Sequence, residues 1–499
     1  MQPYILGIDI GTGSTKAIAV DYEGKVLGSS QQYYSTLIPQ PGYSEQDPET
    51  IFDAFKESIQ KTVAQTKGQP VALCLSSAMH SLVAVDREGR PLTNLILWSD
   101  ARSSAIADRI KTSPQGKSIY EATGTPIHSM SPLCKIIWLR ENRPEVFLNA
   151  YKFISIKEYI WHQLFHEFEI DHSLASATGL FHIERRNWNE ESLTLAGITP
   201  QQLSQPVATS FIRKGLQPGA AAWLSLPATT PVCIGSSDGC LANLGTYSLD
   251  QQTAAITIGT SGAVRVARPT PLKDYSIMCF NYLLDETTFI CGGPINNGGI
   301  VAQWLLKNFL LGKEIKEEAY DELFSQIEAV PAGADGLIFL PYIYGERAPL
   351  WDEESCGVFF GIKPHHTQTH FLRAALEGVC FALQDILASI EDVSQPVLQV
   401  NASGGFVQSA VWVQLLADVT GKKICIHQHE DASAIGAAWL GLKSLQIIPA
   451  YSSIKQETGH SVLPRRERVE AYKRNFALFK TLYPSLKTTM HQFYRSGLK

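Results

Sequence analysis

The chain has no run of the ~20 consecutive apolar residues that a membrane helix requires, so no membrane-spanning role is expected. It has no Cys-x-x-Cys pair and no cysteine–histidine group with zinc spacing, although it carries 9 cysteines. That count is odd, and most of the cysteines sit in apolar runs such as Val71-Ala72-Leu73-Cys74-Leu75. Cysteine used in this way is a small core residue of a reduced, cytoplasmic protein. An excess of positive charge is absent too. Against 42 Lys and Arg stand 48 Asp and Glu, a net charge of −6, which speaks against a nucleic-acid partner. The one basic cluster, Arg465, Arg466, Arg468, Lys473 and Arg474, is interleaved with Glu467 and Glu470 and reads as a solvated helix face. The first residues enter a strand that contains Asp9, so no signal peptide is expected. Low-complexity linkers are missing as well.

Two common nucleotide signatures also fail. Gly11-Thr12-Gly13-Ser14-Thr15-Lys16 lacks the third glycine of a dinucleotide fingerprint and runs into a strand, not a helix. Gly116-Lys117-Ser118 has the end of a P-loop, but Lys111 stands where the first glycine is required.

What is present is a glycine-threonine turn that occurs twice, each time inside a hairpin pattern. The first runs Ile5-Leu6-Gly7-Ile8-Asp9-Ile10-Gly11-Thr12-Gly13-Ser14-Thr15-Lys16, the second Ala255-Ile256-Thr257-Ile258-Gly259-Thr260-Ser261-Gly262-Ala263-Val264-Arg265. Glycines in such a turn let backbone N–H groups approach an anion, and the hydroxyls add donors. Two facing turns of this kind can hold a polyphosphate. Only the first has an acid beside it, Asp9, where the second has Thr257. Asp9 is either a turn-capping residue or an acid that holds Mg²⁺ through water.

The rest of the pattern is α/β. Strands are expected over 4–10, 16–21 and 26–32, then a helix capped by Asp47 with Pro48 at its first position and Ile51, Phe55 and Ile59 on one face. Short strands follow over 71–75 and 82–86, in an order that resembles half of a ribonuclease H-like domain. Helical stretches cover 132–140 and 144–165, and a strand covers 231–235. The second hairpin, 253–267, restarts the pattern. More strand lies within 274–291, then a helix over 298–311, a strand over 337–341, a long helix over 370–391 and a strand over 397–401 before Gly404-Gly405 and a further helix. Two domains, 1–247 and 248–499, are expected, and 499 residues with 44% hydrophobic content suffice for a core in each.

Several polar residues stand out against this frame. Asp238, in Ser236-Ser237-Asp238-Gly239, is a turn or helix cap, or a general base at a strand's C-terminal end. Met79 and His80 follow a strand; His80 is a core or capping imidazole, or part of a polyol site with Asp100 and Arg102. Asp100 and Arg102 read equally as a salt bridge, and so do Glu346 and Arg347 within Gly345–Pro349.

Two long stretches identify a family. Met130-Ser131-Pro132-Leu133-Cys134-Lys135-Ile136-Ile137-Trp138-Leu139-Arg140-Glu141-Asn142 is one. The other runs from Gly357-Val358-Phe359-Phe360-Gly361-Ile362 through His370-Phe371 to Ala374-Ala375-Leu376-Glu377. Both resemble the FGGY family of carbohydrate kinases. The resemblance covers nearly the whole chain. It implies two ribonuclease H-like (actin-like ATPase) domains with ATP and Mg²⁺ in an interdomain cleft, and transfer of the γ-phosphate to a sugar or polyol hydroxyl. Carried over, Asp9 looks like the Mg²⁺-side acid and Asp238 like the catalytic base. Gly11, Thr12, Gly13, Ser14 and Lys16 resemble one phosphate loop, Gly259 and Thr260 the other. Gly299 and Gln303 resemble further nucleotide contacts, Gly404 and Gly405 the backbone under the adenosine, and Ser409 stands where glycerol kinases carry asparagine. Gly13 departs from the hydroxyl residue of glycerol kinases and offers no side chain there.

The same resemblance bears on the acceptor. Glycerol kinases carry an arginine-glutamate pair where this chain has Met79-His80. Xylulose kinases share Met-His but precede it with Gly-Gln, where Ser77-Ala78 stand here. The segments 76–81, 124–132, 171–177, 292–299 and 345–351 look most like gluconokinases of the family, with His80, Arg102, His128 and Lys135 as candidate donors to the sugar acid's carboxylate. The expected partners are thus a small sugar acid and ATP, with a homodimer left open. Another sugar kinase acting on D-xylulose or a related ketose, and a non-catalytic actin-like ATPase, are the alternatives.

Overall fold

Apolar side chains at alternate positions place the first strand, Tyr4–Ile10, between two layers. Tyr4, Leu6, Ile8 and Ile10 join a core with Ile51, Phe55 and Ile59 of helix Pro48–Gln65. The intervening residues face the other way, toward helix Ala432–Ser444, where a Cβ on Gly7 would stand 1.9 Å from the Ala434 carbonyl oxygen. The structure is a computed structural model that describes residues 3–66, 68–310, 324–427, 431–454 and 459–497. Its contacts divide the chain into two units, Met1–Tyr247 with Arg268–Cys291 and Asp431–Gln456, and Ser248–Ala267 with Gly292–Glu430 and Glu457–Lys499. The units are therefore interleaved in sequence, which the single division after residue 247 does not carry.

The first unit is built on a six-stranded sheet in the order Ile212–Arg213, Val232–Ser237, Leu73–Ser77, Tyr4–Ile10, Ser14–Asp21 and Val26–Tyr33. Tyr4–Ile10 is antiparallel to Ser14–Asp21 but parallel to Leu73–Ser77, which is in turn parallel to Val232–Ser237. Helix Pro48–Gln65 starts as expected, with the Asp47 carboxylate accepting from the Glu49 N–H at 3.1 Å. The helical stretch over 144–165 is a correction. It holds helix Pro144–Asn149, a strand Lys152–Ile154 and a new helix Ile156–Phe165, because Ser155 and Glu158 form a capping box that starts a second helix. Helix Ala432–Ser444 also crosses helix Asp238–Gly245 at backbone contact. A Cβ on Gly436 would lie 2.0 Å from the Leu241 oxygen, and one on Gly245 2.0 Å from the Ala432 oxygen.

In the second unit, strands Gly262–Arg268, Thr253–Ile258, Gln399–Ser403, Lys423–Ile426 and His460–Val462 run side by side. The expected long helix spans Gln368–Asp392 and ties to helix Arg466–Arg495 through a buried triad. Arg373 Nε and Tyr472 Oη each donate to Glu377 Oε1 at 2.7 Å. The helix expected over 298–311 is Gly299–Leu305 followed by a π-helical turn, Leu306–Leu310; Leu311 lies outside the described residues. The strand expected within 274–291 resolves into Phe280–Leu283 and Phe289–Ile295. Among the described residues, no helix is long and apolar enough to cross a membrane.

Candidate functional site

Period-two alternation carries Asp9 to the same face as Gly7, beneath helix Ala432–Ser444. Across the hairpin it pairs with Lys16, and across the parallel neighbour with Ser76, whose Oγ donates to Asp9 Oδ1 at 2.6 Å. The Lys16 ammonium reaches past it to the carboxylate of Asp431, the residue that precedes helix Ala432–Ser444. Burial pushes the Asp9 carboxyl up to about 7, and the charges of Asp238 and Asp431 push the same way against Ser76 and Lys16. Three carboxylates and one ammonium thus lie within electrostatic reach of Asp9's position in the first unit.

The turn that follows Asp9 is clamped from behind. Gly11 N–H donates to the Ser14 oxygen at 3.0 Å, and the Tyr34 hydroxyl donates to the Gly11 oxygen at 2.5 Å. Gln46 Nε2 donates to the Thr12 oxygen at 2.6 Å, Trp98 Nε1 to Thr12 Oγ1 at 3.0 Å, and Gln31 Nε2 to Ser14 Oγ at 2.7 Å. The tip is open, since a Cβ on Gly13 would meet no atom within 4 Å. A rigid turn with an open tip suits an anion. Tyr34, Gln46 and Gln31 carry no local sequence signal for this work; Gln31 arrives on the strand next to the hairpin, and Tyr34 and Gln46 from the chain beyond it.

Asp238 reaches the same region through a bulge. Gly235 has φ of 73°, and a Cβ there would lie 1.8 Å from the Leu75 oxygen. The register between the strands shifts there, so that Ser236 pairs with Ser76 and Ser237 with Ser77. Asp238 then opens helix Asp238–Gly245 at the C-terminal end of its strand, half-buried, with Oδ1 accepting from the Gly239 N–H at 2.6 Å. Lys157 locks the bulged strand from below. Its buried ammonium donates to Asp171 Oδ2 at 2.7 Å, to the Ser236 oxygen at 2.9 Å and to the Ile234 oxygen at 3.2 Å. Ser433 Oγ donates to the Asp238 carbonyl at 3.1 Å. Neither Lys157 nor Ser433 was marked by the sequence. The Ser155-x-x-Glu158 capping box was a signal for the helix that carries Lys157.

Met79 lines a small pocket beside the first turn with Thr12, Gln46, Ala78, Leu97 and Trp98. His80 is held at both ring nitrogens, with Nδ1 2.8 Å from the Ala177 oxygen and Nε2 3.0 Å from the Tyr282 hydroxyl. A carbonyl only accepts, so Nδ1 carries a proton and donates it. Asp100 and Arg102 form the salt bridge that the sequence left as one alternative. Arg102 Nε donates to Asp100 Oδ1 at 2.8 Å, Nη2 reaches Glu45 Oε1 at 2.5 Å, and the guanidinium stacks 3.9 Å over the Tyr43 ring. His128 Nδ1 accepts from the Met130 N–H at 3.1 Å. Lys135 corrects the sequence reading of it as a carboxylate donor. It is fully buried, burial pulls its ammonium down to about 7, and it donates to the carbonyl oxygens of His80, Leu97 and Ile96 at 2.6, 2.7 and 3.4 Å.

The donor chemistry fits Mg²⁺. Among the described residues, no group of three or more His, Cys, Asp or Glu side chains is arranged to hold a metal ion. Mg²⁺ usually takes one or two carboxylates and completes its shell with water and substrate phosphates, so the carboxylate of Asp9 beside the first turn is sufficient protein.

The second unit repeats the turn without the acid. Gly259 N–H donates to the Ser261 oxygen at 2.9 Å, and Gly299, which opens helix Gly299–Leu305, donates to the Gly259 oxygen at 2.7 Å. Gly298 and Ile300 N–H both donate to the Thr260 oxygen at 3.2 Å. Gly259, Thr260 and Gly299 are thus brought together, with Gln303 exposed on the same short helix. Gly404 has φ of 98° and packs on Ile258, where a Cβ would lie 2.4 Å from the carbonyl oxygen. Gly405 begins a short helical turn, and Ser409 caps helix Ala410–Thr420 by accepting from the Trp412 N–H at 3.3 Å.

Comparison with known proteins covers the whole chain. Residues 4–245 match the N-terminal domain of the FGGY family of carbohydrate kinases, and residues 254–445 match its C-terminal domain. A gluconokinase of Bacillus licheniformis is 40% identical over 99% of this chain and 98% of its own. Among solved structures, a gluconate kinase from Lactobacillus acidophilus aligns with a TM-score of 0.94 at 31% identity, covering 99% of this chain and 100% of that one. A ligand-bound xylulose kinase from the same species aligns with a TM-score of 0.93 at 31% identity, covering 98% and 100%.

Proposed function

The chain belongs to the FGGY family of carbohydrate kinases, and from that premise we propose that it phosphorylates D-gluconate at its 6-hydroxyl with ATP, in the cytoplasm. The observation that carries the acceptor is the 40% identity to a gluconokinase across nearly the full length of both chains. The fold alone does not separate gluconate from xylulose, since kinases of both kinds align equally well.

Asp238 is the general base in this reading. A carboxylate at the end of its strand, fixed from below by Lys157 and at its carbonyl by Ser433, accepts the hydroxyl proton as the phosphoryl group moves in line. The first turn lends amide donors from Thr12, Gly13 and Ser14 to the transferred phosphate, and Lys16 lends charge. Asp9 is the group that would hold Mg²⁺, through water, and the ion when bound would offset negative charge on the nucleotide's phosphates, leaving Asp238 free for the proton. The Gly259–Thr260 turn and Gly299 take the nucleotide's remaining phosphates, with Gly404, Gly405, Ser409 and Gln303 toward the nucleoside. Met79, Trp98 and His80 shape the acceptor side. Asp100 orients Arg102 by the salt bridge described above, and His128 borders the same region.

A panel of sugars and sugar acids with coupled detection of ADP tests the acceptor. Gluconate is expected to give the highest kcat/KM, and a preference for D-xylulose would replace this reading with the ketose kinase.

A further inference from the structure

Lys16 and Asp431 lie 415 positions apart, yet their charged ends meet beside Asp9. Lys16 has a nearer choice. It is paired with Asp9 across the hairpin, where side chains point to the same face. An ammonium resting on Asp9 would neutralise the one carboxylate beside the first turn. Asp431 draws it elsewhere. We propose that Asp431 is a positioning residue for phosphoryl transfer, holding Lys16 off Asp9 so that the acid stays open to a divalent cation while the ammonium stays at the turn.

The geometry gives Asp431 the means to do so. It stands at the start of helix Ala432–Ser444, which is fixed on two sides at backbone contact: Ala434 against Gly7, and Gly436 against Leu241 of the helix that Asp238 opens. Two residues on, Ser433 bonds the Asp238 carbonyl at 3.1 Å. One helix start therefore sets both the lysine of the phosphate turn and the backbone of the proposed base. The ion pair is partly buried on both sides, where attraction between charges is screened less than at an open surface.

This inference rests on the kinase reading, but its test needs no sugar. Binding of ADP is measured by calorimetry with and without Mg²⁺, and the ratio of the two affinities is compared among variants. Asp431→Asn is expected to shrink the strengthening by Mg²⁺ about tenfold, as Lys16 collapses onto Asp9, while Asp431→Glu keeps it. Adding Lys16→Met to Asp431→Asn is expected to bring the Mg²⁺ response back to that of Lys16→Met alone, because no ammonium is left to occupy Asp9. In the coupled assay Asp431→Asn should lower kcat with little change in KM for the acceptor. An unchanged Mg²⁺ response in Asp431→Asn overturns the proposal. So does an equal loss in the Lys16→Met background, which would show that Asp431 acts through the fold and not through the lysine. If the wild type binds Mg·ADP but phosphorylates another sugar, the gluconate reading fails and this one stands.

Discussion

The two hairpins share a strand layout and differ in electrostatics, and the first turn is one residue longer than the second. Asp9 precedes its glycine by two residues and pairs across a parallel strand with Ser76; Thr257 precedes Gly259 by two and pairs in the same way with Ser403. Each pair is bridged by a side-chain hydrogen bond, Ser76 to Asp9 at 2.6 Å and Thr257 with Ser403 at 3.0 Å. Across each hairpin the partners differ. Asp9 faces Lys16, whereas Thr257 faces Ala263 and has Arg265 Nη1 at 3.4 Å. The tight glycines do not correspond: Gly404 follows Ser403 and packs on Ile258 of the second hairpin, whereas Gly235 lies one strand further out and packs on Leu75 of the strand that carries Ser76. The glycine-threonine turn is thus present twice, and the acid once. Shape is cheap to repeat; a buried carboxylate is not, because it must be matched by cations or lose its charge.

The largest effect that can break this comparison is on the base. Asp238→Asn should cut kcat by about 10³-fold with gluconate binding retained, because a general base contributes roughly 10² to 10⁴ in rate. Near-normal turnover would remove the base from Asp238. Asp9→Asn comes next. It should lower activity about 10²-fold and weaken the Mg²⁺ dependence of ADP binding, while the matching change in the second hairpin, Thr257→Val, should stay within about threefold of wild-type kcat. Equal losses at the two positions would mean that the hairpins share the acid's work.

Stability separates the hairpins in the opposite direction. The folded chain holds the Asp9 proton more tightly than the unfolded chain, with the carboxyl raised from 3.8 to about 7. Its contribution is therefore fully present below about pH 4 and is lost as the pH rises through about 7. Asp9→Asn removes that loss. Denaturant titrations should show the variant gaining about 4 kcal/mol on wild type between about pH 4 and pH 7 and levelling there. A difference that shrinks with rising pH would reverse the sign of the burial effect. The smallest effect belongs to Thr257→Val, which removes one hydroxyl bond and should cost about 1 kcal/mol with no pH dependence over the same range.

Much of this was legible in the chain. Helix Pro48–Gln65 follows from Asp47, Pro48 and the spacing of Ile51, Phe55 and Ile59, all of which act locally. The turns at Gly11 and Gly259, the strand before Asp238 and the long helix from Gln368 were legible for the same reason. The break at Lys152–Ile154 was not, although the Ser155–Glu158 box announced it, because a helical pattern on both sides masked a three-residue strand. Lys135 misled because a lysine in a loop-flanked helix looks available to a ligand. Only packing shows that three carbonyls surround it.

By itself the sequence determined the repeated turn, its single acid, and the long family stretches that imply a kinase. These are properties of neighbouring residues, and backbone sterics and patterning express them directly. Tertiary structure alone decided which charges meet. Asp431 reaches Lys16, Lys157 reaches the strand before Asp238, and Ser433 reaches Asp238 itself. Electrostatic energy depends on distance in space, and sheet register and helix crossing bring together residues that the chain places far apart.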